Sequence, residues 1–274
     1  MSEIHLGCPP NTSGPQISYF TIAIPSQPPE NSILLRVQHN ITSSLPRVGL
    51  QVWKAELALA DFLLYKMIDS SDYHGIIAVE IGCGTGLAGM ILAIGANTVF
   101  LTDHGDEVLG NCAKNVHLNH GIFHSRASLY VRELDWTRPW PPETAVNTQS
   151  PQRYTWNTGD IEKLQKASLL LAADVIYCDD LTDAFFSVLE SIMSTSPEKV
   201  LYLALEKRYN FSMDDLDVVA NGYSNFLGHI QVDAVDHRPP PGFVGRVVNL
   251  DGIPQYVVDY DRGSDVEIWE IRYV

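Results

Sequence analysis

The feature that most constrains this chain is a glycine-rich turn placed between an apolar strand and an apolar helix. The strand is predicted over residues 76–81, where a nearly continuous apolar run indicates burial on both faces. The turn reads Glu80-Ile81-Gly82-Cys83-Gly84-Thr85-Gly86, and an apolar helix is predicted after it, over residues 87–94. Glycines at such a turn let the backbone bend sharply and approach a ligand closely. The turn therefore predicts a ligand site at the carboxyl end of a buried strand.

Strands and helices continue to alternate after the turn, which predicts a parallel sheet covered by helices on both faces. Further strands are predicted at residues 98–102, 129–134, 169–173 and 200–205, and helices at 106–119, 180–193 and 213–227, the last capped by Ser212. Residues 255–260 and 266–274 are predicted to pair as a β-hairpin, so that the last strand is antiparallel. The fold class is therefore α/β. The closing hairpin separates it from the dinucleotide-binding dehydrogenase pattern, which ends in further βαβ units.

The chain is predicted to divide into an N-terminal extension, residues 1–50, and a main domain, residues 51–274. Strands at 17–24 and 33–38 are predicted in the extension. An amphipathic helix at 53–67 begins the main domain. The polar, Pro-rich residues 137–166 are predicted to form a surface insertion.

The charge of the chain limits its partners. With 18 Lys and Arg against 33 Asp and Glu, the formal net charge is −15, which repels nucleic acid phosphates and anionic lipid and favours basic partners. No run reaches the roughly 18 consecutive apolar residues of a membrane helix, and the N-terminus lacks the pattern of a signal peptide. We therefore expect no nucleic acid or membrane partner. The four cysteines stand far apart, which predicts no metal site and a reducing compartment, cytoplasmic or nuclear.

Two classes of ligand use a turn of this kind, dinucleotides and S-adenosylmethionine. The dinucleotide pattern G-x-G-x-x-G is matched from Gly84 onward, but its first glycine should follow the strand directly, and that place belongs to Gly82. The carboxylate of Glu80 disfavours a pyrophosphate and suits a ligand that carries an ammonium and a sulfonium. The turn therefore favours S-adenosylmethionine, with Cys83 as a small packed residue of the loop rather than a nucleophile.

Acidic residues follow the next two predicted strands. Asp103 ends the second strand, where a carboxylate can accept hydrogen bonds from both hydroxyls of a ribose. An aspartate there could instead start a turn or cap a helix. Asp135 and Trp136 follow the third strand, where they could bind the adenine amino group and pack against the base. A capping Asp135 beside a core Trp136 explains the same pattern equally well.

Five segments together resemble the seven-β-strand lysine methyltransferases. These segments are Val52-Trp53, the 80–86 turn, Asp103, Leu134-Asp135-Trp136 and Ala172-Ala173-Asp174-Val175-Ile176-Tyr177. The mark of that family is an acidic residue, two further residues, and then Tyr or Phe after the fourth strand. Asp174 and Tyr177 match this mark.

The resemblance implies a Rossmann-like sheet of seven strands, mostly parallel, with helices on both faces and an antiparallel last strand. It implies S-adenosylmethionine as cofactor, S-adenosylhomocysteine as product, and methyl transfer to a lysine of a non-histone protein. The residues implied to contact the cofactor are Trp53, the backbone of Gly82, Cys83 and Gly84, Asp103, Trp136 and Ala173. We assign Asp174 to orient the acceptor nitrogen or to take its proton through water, and Tyr177 to wall the channel. Asp174 could instead start a turn, with Tyr177 as a packing residue. We expect a monomer that acts on a basic protein.

Three other functions stay open at this point. A small-molecule N-methyltransferase would keep the fold and change the acceptor. An NAD-dependent oxidoreductase is disfavoured by the position of the glycines and by the closing hairpin. A scaffold would keep the cofactor pocket without turnover.

Overall fold

A two-stranded hairpin forms the described part of the N-terminal extension. The computed structural model describes residues 14–24, 28–41, 45–69, 73–142, 144, 153–212, 217–232 and 241–274. Strands β1 (Gln16–Ile22) and β2 (Ile33–His39) pair antiparallel and form what we call the N-terminal hairpin, which confirms both predicted strands. Side chains alternate between the two faces of a strand, and one face of this hairpin lies in the core through Phe20, Ile22, Leu35 and Val37. Short 3-10 helices follow each strand, at Pro29–Asn31 and Leu45–Leu50.

Helix α1 (Lys54–Asp69) is buried on all sides over ten consecutive residues, 55–64. The prediction of an amphipathic helix is therefore wrong for this stretch. The helix packs against α2 (Leu87–Leu92) and the sheet, and its side chains share one hydrophobic cluster with the N-terminal hairpin and with residues 253–260. Elements distant in sequence thus cover the face that would otherwise meet water.

The strands and helices predicted between residues 76 and 205 are confirmed, with boundaries shifted by at most two residues. The first three strands of the main domain are β3 (Ile77–Ile81), β4 (Thr98–Asp103) and β5 (Ser128–Glu133), with α3 (Asp106–Leu118) between the last two. After α4 (Thr158–Gln165), strands β6 (Leu169–Ala173) and β7 (Val200–Glu206) flank α5 (Asp179–Met193). None of the helices in the described ranges combines the length and the apolar character needed to cross a membrane.

The prediction of a surface insertion at 137–166 is wrong for its second half, because α4 lies there. Asn157 caps this helix, its Oδ1 accepting a hydrogen bond of 2.9 Å from the amide of Asp160. Trp156 is 1% exposed and stacks on Phe100 of β4 at 5.5 Å. The polar composition of residues 137–166 did not indicate this short capped helix, which follows a tryptophan that is buried in the core. Residues 143 and 145–152 lie outside the described residues.

The helix predicted at 213–227 is wrong in its first half. Strands β8 (Asn210–Ser212) and β9 (Asp217–Val219) pair antiparallel, and α6 covers only Asn221–Gly228. Ser212 is therefore a strand residue rather than a cap, and residues 213–216 lie outside the described residues. The β-branched pair Val218-Val219 favours a strand locally, although the wider apolar spacing is helical.

The central sheet has eight strands, one more than expected. Strands β10 (Ile230–Val232), β11 (Phe243–Val247) and β12 (Val266–Tyr273) complete it in the order β10-β11-β12-β7-β6-β3-β4-β5. The neighbours from β7 to β5 are parallel, and β12 runs antiparallel to both β7 and β11. The antiparallel last strand is thus confirmed. Its predicted hairpin partner at 255–260 is wrong, since β11 occupies that position.

Residues 255–260 are held by a buried carboxylate and by a short antiparallel bridge to β1, in which Val257 lies opposite Ile22. Asp61 of α1 is 0% exposed and accepts hydrogen bonds from the amides of Tyr256 at 2.7 Å and Val257 at 2.8 Å. The hydroxyl of Tyr260 and the guanidinium of Arg262, the latter at 2.9 Å, also donate to this carboxylate. Asp61 therefore fixes this segment over α1.

Replacing Asp61 with Ala should destabilise the fold strongly, because it removes the carboxylate that pairs with the half-buried guanidinium of Arg262 and leaves the amides of the buried residues Tyr256 and Val257 without their acceptor. We expect the free energy of unfolding to drop by about 3–5 kcal/mol, as for other broken buried ion pairs. Urea denaturation measures this change. The control is Glu198→Ala, which removes an ion pair with Arg272. The Glu198 side chain is 71% exposed, so this substitution should lower the free energy of unfolding by about 1 kcal/mol or less. Similar losses in the two variants would contradict the prediction.

Candidate active site

A cleft opens where the carboxyl ends of β3, β4 and β6 meet, the place where ligands bind in open α/β sheets. One wall comes from the segment that joins the N-terminal hairpin to α1. The residues that line the cleft are Val48, Gly49, Gln51, Trp53, Glu56, Glu80, Gly82, Cys83, Gly84, Asp103, Trp136, Ala173, Asp174, Val175 and Tyr177. With the exception of Asp135, every residue predicted to bind cofactor or acceptor lies in this lining.

Glycine is required at two positions of the loop after β3. Gly82 has a φ of +69°, and a Cβ built there would lie 2.7 Å from Cγ1 of Val175 and 3.1 Å from the ring of Trp136. Gly84 has a φ of +50°, and its Cβ would lie 3.0 Å from the carbonyl oxygen of Gly49. Both positions combine a left-handed backbone with close neighbours, so a side chain would strain the loop and fill the cleft.

Asp103 ends β4 and holds the loop through its carboxylate. Oδ2 accepts a hydrogen bond of 2.7 Å from the amide of Gly84, and Oδ1 accepts one of 2.7 Å from the amide of His104. Burial raises the pKa of Asp103, although both hydrogen bonds act in the opposite direction. The carboxylate thus lies between the loop and the cleft, within reach of a ligand on the open side.

Two more carboxylates, those of Glu80 and Glu56, are buried behind the loop. Glu80 of β3 is 1% exposed and accepts a hydrogen bond of 2.9 Å from the amide of Gly89 in α2. Glu56 of α1 accepts hydrogen bonds from the amide of Leu87 at 3.0 Å and the hydroxyl of Thr85 at 3.1 Å. Burial raises the pKa of Glu80 well above its usual range and that of Glu56 to about 7. Each side chain therefore supports the start of α2 as well as lining the cleft.

Asp174 adopts a left-handed backbone conformation, with a φ of +54°, directly after β6. Its Oδ1 accepts a hydrogen bond of 3.3 Å from the amide of Glu206 and lies 3.4 Å from Nη2 of Arg208. Its Oδ2 is buried, and no other described residue hydrogen-bonds to it. Burial raises the pKa of Asp174, and the charge of Arg208 opposes that rise. One oxygen of this carboxylate is therefore engaged by the protein, and the other has no hydrogen-bond partner among the described residues within normal bonding geometry. The amide of Ala55 is nevertheless close enough to lower the pKa of the group.

Arg208 links Asp174 to Trp53 on the opposite wall. Its guanidinium carbon lies 4.6 Å from the centre of the Trp53 ring, a cation–π contact. The indole nitrogen of Trp53 donates a hydrogen bond of 3.0 Å to the carbonyl of Val48, which fixes the ring on the cleft wall. A carboxylate and an aromatic face thus converge on one cation at the rim of the cleft.

Tyr177 and Cys83 remain protonated near neutral pH. Burial, with help from the charge of Asp103, raises the pKa of Tyr177 to about 12. Burial also raises the pKa of the Cys83 thiol, whose sulfur lies 3.7 Å from that of Cys112. Neither group is poised as a base or a nucleophile, so Tyr177 can act through its shape and its hydroxyl, and Cys83 through packing.

Trp136 and Asp135 are adjacent in sequence but differ in position. The Trp136 ring packs edge-to-face with Phe185 at 5.2 Å, and its buried indole nitrogen makes no hydrogen bond with any described residue. Asp135 instead accepts hydrogen bonds from the amide and hydroxyl of Thr137, at 3.0 and 2.6 Å, and pairs with Arg138 at 3.2 Å. The structure therefore places Trp136 in the lining and Asp135 in a turn beside it, engaged by neighbours of its own.

A match to a known family shows where this chain belongs. The profile of the family described as lysine methyltransferase matches residues 30–221, well over half of the 274 residues. The chain belongs to the lysine methyltransferase family. The family resemblance is thus confirmed, and the mostly parallel sheet with its antiparallel C-terminal strands is the class I methyltransferase fold that the resemblance implied.

Individual relatives agree with this family. Methyltransferase-like protein 22 of Homo sapiens is 33% identical over 243 residues, which cover 87% of this chain and 57% of that protein. Protein N-lysine methyltransferase METTL21A of Mus musculus is 29% identical over 162 residues, 59% of this chain and 62% of that protein. The chain spans less than two thirds of the length of these relatives. Magnesium protoporphyrin IX methyltransferase from Synechocystis PCC 6803, solved with bound SAH, aligns with a TM-score of 0.43 at 12% identity, over 86% of this chain and 90% of that chain.

Sequence reasoning missed Glu56 and the wall at Val48, Gly49 and Gln51. For Arg208 it left open a residue that faces the substrate or one of a charged loop. Glu56 carried a detectable signal, since a glutamate inside the apolar run of α1 needs a buried partner. The wall residues approach the cleft only through the packing of the segment that joins the N-terminal hairpin to α1.

Removing the carboxyl group of Glu56 should change how stability depends on pH. The unfolded chain releases this proton near pH 4.5 and the folded chain near pH 7, so the folded state binds the extra proton between these values. The free energy of unfolding contributed by this group therefore falls as pH rises through that window. Glu56→Gln keeps an acceptor for the amide of Leu87. Across this pH window its free energy of unfolding should fall by up to about 3 kcal/mol less than that of the wild type.

Urea denaturation at intervals between about pH 5 and about pH 8 measures this difference. Glu107→Gln, at a glutamate whose side chain is 56% exposed, is the control and should follow the wild-type curve. A Glu56→Gln curve parallel to the wild-type one would show that Glu56 does not titrate in this window.

Proposed function

We propose that this chain transfers a methyl group from S-adenosylmethionine to a lysine side chain of another protein. The observation that carries the proposal is Asp174, a buried carboxylate held in a left-handed conformation with one oxygen unpaired among the described residues. Backbone strain of this kind persists where the surrounding structure enforces it and is concentrated at functional sites. Membership of the lysine methyltransferase family supports the same function.

The cleft fits S-adenosylmethionine on features of its own residues. Gly82 and Gly84 leave a cradle that a Cβ would fill, and the unpaired indole nitrogen of Trp136 offers a donor on the adjoining wall. Asp103 would hold the ribose hydroxyls, and Trp136 with Ala173 would flank the adenosine. The carboxylates of Glu80 and Asp103 favour a cationic ligand over the pyrophosphate of a dinucleotide. When bound, the cofactor supplies an electrophilic methyl group on a sulfonium.

The acceptor must arrive as a free amine, although a lysine has a pKa of about 10.4 in water. Asp174 Oδ2 can accept a hydrogen bond from the acceptor nitrogen and so direct its lone pair. The pKa of Tyr177 is raised to about 12, so its hydroxyl is neutral near pH 7. Tyr177 walls the channel and can donate a hydrogen bond from this neutral hydroxyl. Methyl transfer needs mainly positioning and the exclusion of water. Buried Asp174 and half-buried Tyr177 supply both.

The charge of the chain supports a basic protein as substrate. A net charge of −15 attracts a positively charged segment over long range and speeds encounter at low salt. Asp174 and Trp53 contact the guanidinium of Arg208, a cation of the chain itself, at the rim of the cleft. The same groups could contact the cation of a substrate. We extend the proposal to a non-histone substrate and to a monomeric enzyme of the cytoplasm or nucleus.

Incubation with methyl-labelled S-adenosylmethionine and an undialysed cell lysate tests the function. We expect label in protein bands and, after acid hydrolysis, in methyl-lysine. Label found only in small molecules would support a small-molecule N-methyltransferase, and binding of the cofactor without any transfer would support a scaffold. Calorimetry with NAD should show no binding.

Asp103→Ala should weaken the binding of S-adenosylmethionine by about 1–3 kcal/mol, the cost of leaving buried polar groups unpaired. Asp135→Ala provides the comparison, because its carboxylate is engaged by Thr137 and Arg138 outside the lining of the cleft. We expect its affinity to remain near that of the wild type. Calorimetry on the three proteins measures both effects. An unchanged affinity in Asp103→Ala would place the ribose elsewhere, and a loss in Asp135→Ala would restore Asp135 as an adenine ligand.

Asp174→Asn should lower the rate of methyl transfer without destabilising the fold. Asparagine tolerates the left-handed conformation of this position, so we expect a near-native melting temperature and cofactor affinity. The transfer rate should fall at least about a hundredfold, since positioning contributes several kcal/mol and each 1.36 kcal/mol is a factor of ten. The rate of labelling in the lysate measures this. Asp174→Ala adds backbone strain and should also lower the melting temperature. Transfer by Asp174→Asn at the wild-type rate would remove Asp174 from the mechanism.

A further inference from the structure

Three asparagines of α3 and its C-terminal cap form a ladder against the open edge of β2. Asn111, Asn115 and Asn119 are spaced four residues apart and therefore lie on one side of the helix. All three are buried, with exposures of 7%, 0% and 3%. The other edge of β2 is paired with β1, so the ladder occupies the place of a third strand of the N-terminal hairpin.

The amides of the ladder bond to the backbone of β2 as a neighbouring strand would. Asn119 accepts from the amide of Arg36 at 2.9 Å and donates to its carbonyl at 2.7 Å. Asn115 accepts from the amide of Gln38 at 2.7 Å and donates to its carbonyl at 3.0 Å. Asn111 donates to the same carbonyl at 2.9 Å. An open strand edge must find such partners when it is buried.

Asn115 alone among the three also reaches the glycine loop. Its Nδ2 donates a second hydrogen bond, of 3.0 Å, to the carbonyl of Thr85, which is 0% exposed. In a regular helix the amide of Gly89 would donate a hydrogen bond to this carbonyl, but here it donates to the carboxylate of Glu80. The Thr85 carbonyl therefore depends on Asn115 for its partner.

A second connection joins the N-terminal hairpin to the cleft. The amide of Asn40, directly after β2, donates a hydrogen bond of 2.8 Å to the carbonyl of Leu50. Leu50 ends the segment that includes Gly49, whose carbonyl approaches the Gly84 position. Displacement of the hairpin would therefore disturb both the loop and the wall that faces it.

We propose that Asn115 is a positioning residue of the cofactor site, and that its side-chain amide couples docking of the N-terminal hairpin to the conformation of the glycine loop. The inference rests on the proposed function, since the ligand it concerns is S-adenosylmethionine. Coupling of this kind is reciprocal, so a bound cofactor must stabilise the docked hairpin to the same extent that the docked hairpin favours the cofactor.

Calorimetry with S-adenosylmethionine on Asn115→Ala and Asn119→Ala tests the proposal. Both variants lose two hydrogen bonds to β2, and both should melt at lower temperature than the wild type. Only Asn115→Ala also loses the bond to Thr85, so only this variant should bind the cofactor more weakly, by about tenfold, within the range typical of coupled sites. Equal affinities in the two variants would overturn the proposal.

Asn115→Asp keeps the proposal testable if Asn115→Ala does not fold. Its carboxylate can still accept from the amide of Gln38 but cannot donate to Thr85. Hydrogen exchange at the Gln38 amide should slow when S-adenosylmethionine is added to the wild type and to Asn119→Ala, and should not respond in Asn115→Asp. A cofactor-dependent slowing that persists in Asn115→Asp would overturn the coupling. A wild-type protein that binds no S-adenosylmethionine would overturn the proposed function itself, and this inference with it.

Discussion

The glycine loop after β3 cannot hold its own shape, and the site depends on the side chains that hold it. Its left-handed glycines interrupt regular hydrogen bonding, yet its polar groups are buried and need partners. Glu56 of α1 binds Thr85 and Leu87, Glu80 of β3 binds Gly89, and Asn115 of α3 binds the Thr85 carbonyl. Asp103 of β4 binds the amide of Gly84, so four separate elements fix the loop in place and it does not need to be ordered by a ligand.

The same arrangement concentrates carboxylates around the cleft. Burial raises the pKa of Glu56, Glu80, Asp103 and Asp174 alike, which means that their charged forms are costly without a cation nearby. Arg208 compensates Asp174 at the rim. In the proposed function the ammonium and sulfonium of the cofactor compensate the deeper groups, and the loss of the sulfonium charge on methyl transfer would weaken that compensation for the product.

The N-terminal extension belongs physically to the site. It contributes Val48 and Gly49 to the lining of the cleft, and the buried side chains of its hairpin share one hydrophobic cluster with α1. The boundary predicted at residue 50 therefore separates two segments of sequence that belong to the same cluster. Residues 253–260 also belong to this cluster, and α1 has no solvent-exposed face over residues 55–64.

Local patterns in the sequence determined the alternating strands and helices and the glycine loop, because each depends on neighbours a few residues away. They also placed Asp103 and Asp174 at strand ends, where the sheet brings them together. The partner of β12, the segment held by Asp61 and the role of Asn115 were decided only by tertiary structure. These features join residues up to 201 positions apart, and a buried polar group takes whichever partner the packing brings within reach. Local periodicity in the sequence does not indicate which partner a buried polar group binds.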